Sequence, residues 1–166
     1  STVNNAKFNA HSLMVQAESA EFNAARSEQN TMDFLVASNH DAALSATQSA
    51  KVFWGDARNH ADGAASQARI AAEYFDIVQG HSDEAAAALA NARISFALDN
   101  AAATANLEGA ASAVERAGVA AANAARAQME AAEAAQRAKG SAGRAKNAMK
   151  RADDAMAVGS RMRGIV

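Results

Sequence analysis

Four histidines, His11, His40, His60 and His81, are where metal-ligand or acid–base chemistry would be sought first. They stand about 20 to 30 residues apart, so no two form a local ligand pair. Asp56 and His60 share a helix face at i,i+4 and could hold a metal only with ligands from elsewhere; a surface pair is the simpler reading. The Glu-x-x-His pairs of carboxylate-bridged di-iron bundles do not occur. Glu130 and Glu133 are close in sequence, but their setting among arginines reads as a solvated face rather than an acid–base pair. No phosphate-binding glycine loop, nucleophile elbow or zinc-hydrolase helix motif is present. With no Cys, disulfides, zinc fingers and thiol catalysis are excluded together. These absences predict a chain that is not an enzyme, with no cofactor and no small-molecule substrate.

Two other groups invite a functional reading. Phe53, Trp54, Tyr74, Phe75 and Phe96 concentrate the aromatic residues in mid-chain. We expect them to be a shared core that clamps helices rather than a ligand pocket. The second group is basic. Residues 1–136 contain 16 acidic and 8 basic side chains, a net −8, whereas residues 137–166 contain 2 and 8, a net +6. Arg137, Arg144 and Arg151 repeat every seven residues, Lys139 and Lys146 lie on a second row, and Lys150, Arg161 and Arg163 extend the ridge. Such a ridge can meet an acidic surface on a sister chain. It can also meet nucleic acid phosphates in a salt-sensitive, sequence-independent manner. No aromatic residues interleave to stack bases. Membrane contact ranks third, because only Met149, Met156, Met162, Ile165 and Val166 add greasy bulk.

The elements that must position these groups are helices. Of 83 apolar residues 50 are Ala, and there is no Pro among the 166 residues, so propensity favours very long helices and nothing interrupts them. The fold class predicted is all-α, an elongated helical hairpin or bundle with Ala-rich heptad packing. No apolar run approaches the roughly 20 residues of a membrane span, and the opening residues lack the charged-then-apolar order of a secretory signal.

Phe8, Val15, Phe22, Gln29, Val36, Ala43, Ala50 and Ala57 form one heptad row, with Ala25, Met32, Ala46 and Phe53 three residues further on. A break is expected near "SNHD" (38–41), and a softer spot at "WGDARNHADG" (54–63). The firmest expected reversal is "VQGHSDEAA" (78–86), where Gly80 suits a left-handed cap and Ser82 an N-cap.

From there a long helix is expected with its seam at two heptad positions. One carries Leu107, Val114, Ala121, Gln128, Ala135, Ala142, Met149 and Met156. The other carries Ala103, Ala110, Ala117, Ala124, Ala131, Ala138, Ala145 and Ala152. A third position is Ala at 113, 120, 127, 134, 148 and 155. "KGSAGRAK" (139–146) is the expected bend. The predicted organisation is a single domain. Residues 1–79 form an N-terminal amphipathic arm, 80–84 the reversal, 85–138 the long Ala-rich helix and 139–166 a basic C-terminal helical segment.

Residues 4–34, with the repeated units "KFNAHS" and "EFNAAR", resemble helical segments of internal virion or ejection proteins of tailed podoviruses, and the DNA pilot proteins of small single-stranded DNA phages. That resemblance implies a helical homo-oligomer in a virion, packed against itself and other structural proteins and helping to deliver DNA. A second likeness is to the Ala-rich helical surface proteins of trypanosomes, which implies an elongated coat or receptor-binding bundle at a cell surface. The Thr spacing of single-helix ice-binding proteins is missing, with Thr only at 2, 31, 47 and 104.

Overall fold

Ala-rich, proline-free sequence does form helices as long as its composition allows. The computed structural model describes residues 1–98 and 100–162, with the side chains of 95–106 left aside, and contains three helices. They are α1 (Thr2–Val36), α2 (His40–Leu98) and α3 (Asn100–Met162). At 1.5 Å per residue, α3 with its 63 residues is about 95 Å long and α1 with its 35 about 52 Å. The molecule is an all-α helical bundle, and every helix packs on both others.

The first reversal lies at residues 37–39, within the expected break. Ser38 adopts φ 58°, the left-handed conformation. Its amide donates to the Leu35 carbonyl and the Asn39 amide to the Phe34 carbonyl, the paired bonds that close a helix end around a left-handed residue. Asn39 then caps α2 by accepting from the Ala42 amide at 3.2 Å. A non-glycine residue in this conformation is strained by roughly 1 kcal/mol, and the two closing bonds hold it there.

The expected reversal at 80–84 does not occur. α2 runs unbroken through Gly80 and Ser82 to Leu98, so residues 85–98 belong to α2 and the Ala-rich α3 starts at Asn100. The reason is energetic. An interior Gly costs about 1 kcal/mol against Ala, whereas stopping the helix would expose the packed side chains Val78 and Leu89. Helix α3 likewise passes through Gly140 and Gly143, so 139–162 continues α3 rather than forming a separate segment. The softer spot at 54–63 is helical too.

Directions follow from side-chain pairs. Lys7, Glu21 and Glu28 of α1 meet Glu130, Arg144 and Arg151 of α3, a constant offset of 123 residues, so α1 and α3 are parallel. Thr31 meets Thr47, and Asn9 meets Gln67, so α2 is antiparallel to α1. Ser1 to Asn4 stand beside Tyr74 and Val78 of α2 and Ala120 to Ala124 of α3. Beyond that point α2 and α3 continue for about 30 Å without α1.

The core is a set of rows spaced by seven. Val3, Ala10, Ala17, Ala24 and Thr31 are buried from α1; Ala43, Ala50, Ala57, Ala64 and Ala71 from α2; Ala124, Ala131, Ala138, Ala145 and Ala152 from α3. The heptad row Phe8, Val15, Phe22, Val36 of α1 faces water, being 64, 49, 68 and 88 % exposed. Its continuation Ala43, Ala50, Ala57 is buried, because residues 37–39 reset both direction and phase. Ala46 is also buried and Phe53 and Met32 are half-buried, while Ala25 is exposed.

Where three helices share one axis, Ala admits close backbones and Phe does not. Two leucines of α1 make the same point: Leu13 lies over Gly63 and Leu35 over Gly159, where an added Cβ would meet them at 3.1 and 2.8 Å. One polar contact is sealed in this core. Thr31 and Thr47 hydroxyls lie 3.2 Å apart, and each also donates to the carbonyl four residues earlier, Ser27 and Ala43. Two protons serve three contacts, so one is shared.

Two substitutions check this reading of turn and helix. Ser38→Gly should stabilise by roughly 0.5–1 kcal/mol by relieving the left-handed strain. Gly80→Ala has open space for its Cβ and should stabilise by about 0.5–1 kcal/mol in urea unfolding. A destabilised Gly80→Ala protein would mean that the chain turns at Gly80 after all.

Candidate interaction surface

The seam expected on α3 is shifted towards the third heptad position. Ala127, Ala134, Ser141 and Ala148 are buried together with Ala121, Ala124, Ala131, Ala138, Ala145, Ala152 and Met156. Ala135, Ala142 and Met149, expected at the centre, are half-buried at one margin. Leu107, Ala110, Val114 and Ala117 are half-buried on the part of α3 that lies beyond the start of α1, and Ala103 falls outside the described side chains. A helix touching two neighbours buries a wider stripe than the narrow seam of a two-helix contact.

The margins of that stripe carry the charges. Arg137, Arg144 and Arg151 lie on the side facing α1, where each meets a carboxylate. Arg137 Nη2 donates to Glu18 Oε1 at 2.7 Å. Arg144 grips Glu21 through Nε and Nη2, and Arg151 grips Glu28 in the same two-pronged way, the second contacts measuring 3.2 and 3.0 Å. Glu130 continues the row with the charge order reversed, pairing with Lys7 at 2.9 Å. On the opposite margin Asp153 pairs with Lys51 of α2 at 3.1 Å.

Glu21 is the most enclosed part of this ladder to titrate abnormally. Burial pushes its carboxyl up, but hydrogen bonds from Arg144 and Ser141 and the Arg144 charge outweigh burial, leaving the pKa below its ordinary value. The hydrogen bond to Glu21 raises Arg144 above its own ordinary value, and Glu28 does the same for Arg151.

The ridge is therefore divided. Three of its arginines are engaged within the chain by carboxylates of α1, rather than left for a sister chain or nucleic acid. Lys139, Lys146 and Lys150 remain exposed without an ion-pair partner among the described residues. Arg161 is exposed and donates to the Ala157 carbonyl at 3.4 Å; Arg163 lies outside the described residues. Sequence reasoning missed Glu18, Glu21 and Glu28. The available signal was the shared spacing of seven between Glu21 and Glu28 and between Arg144 and Arg151.

The aromatic residues do not form one clamp. Phe53 and Trp54 pack on Ala20, Ala24, Ala57, Ala145 and Ala148, whereas Phe75 packs with the other cluster and Tyr74 is exposed. About 30 Å of helix separates the two pairs, and Phe96 falls outside the described side chains. Asp56 and His60 line a shallow groove with Gln16 and Asn23, and among the described residues no three His, Asp or Glu side chains converge as a metal site would require. At the turn end, Met32, Leu35, Val36, Val158 and Met162 line an apolar groove of about 710 Å³, rimmed by Arg151 and Asp154. No described helix is long and apolar enough to cross a membrane.

No protein-family model, curated protein or solved structure matches this chain.

The ladder predicts an acid response with a definite sign. Because Glu21 titrates below its usual value near 4.5 when folded, its contribution is complete above that range. It is lost as pH falls through the lowered value. Glu21→Gln should flatten this loss in acid unfolding curves. A double-mutant cycle with Arg144→Gln should give a coupling of about 0.5–1 kcal/mol near neutral pH, shrinking in high salt.

Proposed function

We propose that this chain is a non-enzymatic structural protein that assembles with copies of itself into a helical homo-oligomer, with a phage virion component, internal, ejection-related or tail-associated, as the setting. One observation carries the reading: many bulky apolar side chains stand outside a core built mainly of Ala. Phe8, Val15, Phe22, Val52, Ile77 and Met129 are exposed around a core of Ala. A monomer gains nothing by leaving large apolar groups in water, whereas a subunit of an assembly buries them against its neighbours. The seven-residue period of the buried rows supports left-handed supercoiling within and between subunits. In this reading the virion setting rests on the likeness of residues 4–34 to ejection and pilot proteins.

The cations left over by the internal ladder, Lys139, Lys146, Lys150 and Arg161, are the ones offered to an acidic partner or to nucleic acid. Internal neutralisation of three arginines makes that surface weaker for phosphate than the +6 segment suggests. A second reading, an elongated cell-surface bundle acting as a coat or receptor-binding module, draws on the two-helix extension beyond Val78, a free-standing tip about 30 Å long.

Mass by light scattering after size exclusion, at about 50 and 500 mM salt, separates the readings. A discrete oligomer that persists at high salt supports assembly through apolar faces. One that dissociates at high salt makes the lysines the main subunit contact. A monomer at both salts sinks the assembly reading and favours the surface bundle.

A further inference from the structure

We infer that the outer face of α1 between residues 5 and 26 is a self-association surface, on which two copies of this chain pack α1 against α1, antiparallel, about a two-fold axis at Val15. The inference rests on the homo-oligomer reading and names the surface that reading requires.

Phe8, Val15 and Phe22 form the spine of the face. They are exposed, lie on the side of α1 opposite its buried row Val3, Ala10, Ala17, Ala24, and span about 21 Å of helix. A period of seven keeps them on one line along a supercoiled helix, the arrangement a second helix can follow and a globular partner cannot. Two phenylalanines more than six-tenths exposed leave roughly 250 Å² of aromatic surface in water.

The flanks indicate what covers this row. Asn5, Ser12, Ser19 and Arg26 run along the side of it towards α2, and Asn4, His11, Glu18 and Ala25 along the side towards α3. An interface formed by the same patch from both partners must be its own complement. The spine of this patch reads alike in both directions: Phe, Val, Phe. With Val15 on the axis, Phe8 of each copy lies over Phe22 of the other. The charges nearest the face then avoid one another. Each flank meets the same flank of the partner, so Arg26 falls opposite Asn5, Ser12 opposite Ser19 and Glu18 opposite His11, and no like charges meet. Lys7 is in addition held at 2.9 Å by Glu130 while its amine lies 5.0 Å from the Phe8 ring centre. A face that binds an anionic membrane would carry Lys and Arg along its polar flanks, whereas here one flank carries Glu18 and the other Arg26 alone.

Three side chains per copy make a contact smaller than the roughly 1,200 Å² of a stable dimer, so the pairing is weak and depends on concentration or on further contacts in an assembly.

The chain has no Cys, so single cysteines report the geometry without background. Under mild oxidation, or with a short bis-maleimide, Val15→Cys should yield a covalent dimer. Phe8→Cys and Phe22→Cys should each cross-link poorly alone and efficiently when mixed. Phe8→Glu/Phe22→Glu should keep wild-type helicity, since both positions are exposed, and weaken self-association at least tenfold in concentration-dependent light scattering. Efficient linking of Phe8→Cys to itself, or a wild-type oligomer that neither links at Val15→Cys nor responds to the glutamates, overturns this surface and leaves the homo-oligomer reading standing. A wild-type protein that stays monomeric up to about 1 mM overturns both.

Discussion

The close approach of three backbones along rows of alanine is the constraint on which the rest of this molecule depends. A buried Ala contributes little apolar area, about one methyl group each. Stability therefore comes from many such positions in register rather than from a few large side chains. Fifteen residues on three seven-spaced rows line the axis, and thirteen of them are Ala. Under Leu13 and Leu35 the opposing helix supplies a glycine. The glycines at 63 and 159 are thus fitted to their neighbours, while Gly80 meets nothing.

Rows of identical small residues specify closeness but not alignment, since a slide of seven residues would restore the same packing. Charge breaks that degeneracy. Glu130 faces Lys7 in the same row in which Arg144 and Arg151 face Glu21 and Glu28. Moving α1 one heptad towards the end of α3 would place Lys7 against Arg137. Moving it the other way would leave Arg151 facing Leu35. Either slip loses pairs, and the first also opposes like charges, so these exposed ion pairs act through specificity more than through energy.

Filling the centre with Ala displaces the bulky side chains outward. Among the described residues the aromatic side chains, and β-branched ones such as Val15, Val52 and Ile77, stand on outer faces or at half-buried margins. The surface is consequently greasier and the core leaner than in an ordinary bundle. This inversion links the energetics of the fold to the assembly role proposed for it.

Helix content, the seven-residue period and the break after Val36 were legible in the sequence. All are local: they follow from propensity, residue type and spacing along one chain. The choice of face was not local. Two heptad rows compete on α1, Phe8/Val15/Phe22 and Ala10/Ala17/Ala24, and hydropathy alone selects the wrong one, because only the approach of two other helices makes small size worth more than greasiness. The turns were decided in the same way. Gly80 is the better local stop and Ser38 the poorer, yet the chain turns at Ser38 and runs straight through Gly80, where packing against α3 outweighs a propensity difference of about 1 kcal/mol. The basic ridge, finally, was visible as charge, but its partners lie more than a hundred residues away. Only the parallel alignment of α1 with α3 brought Glu18, Glu21 and Glu28 to Arg137, Arg144 and Arg151.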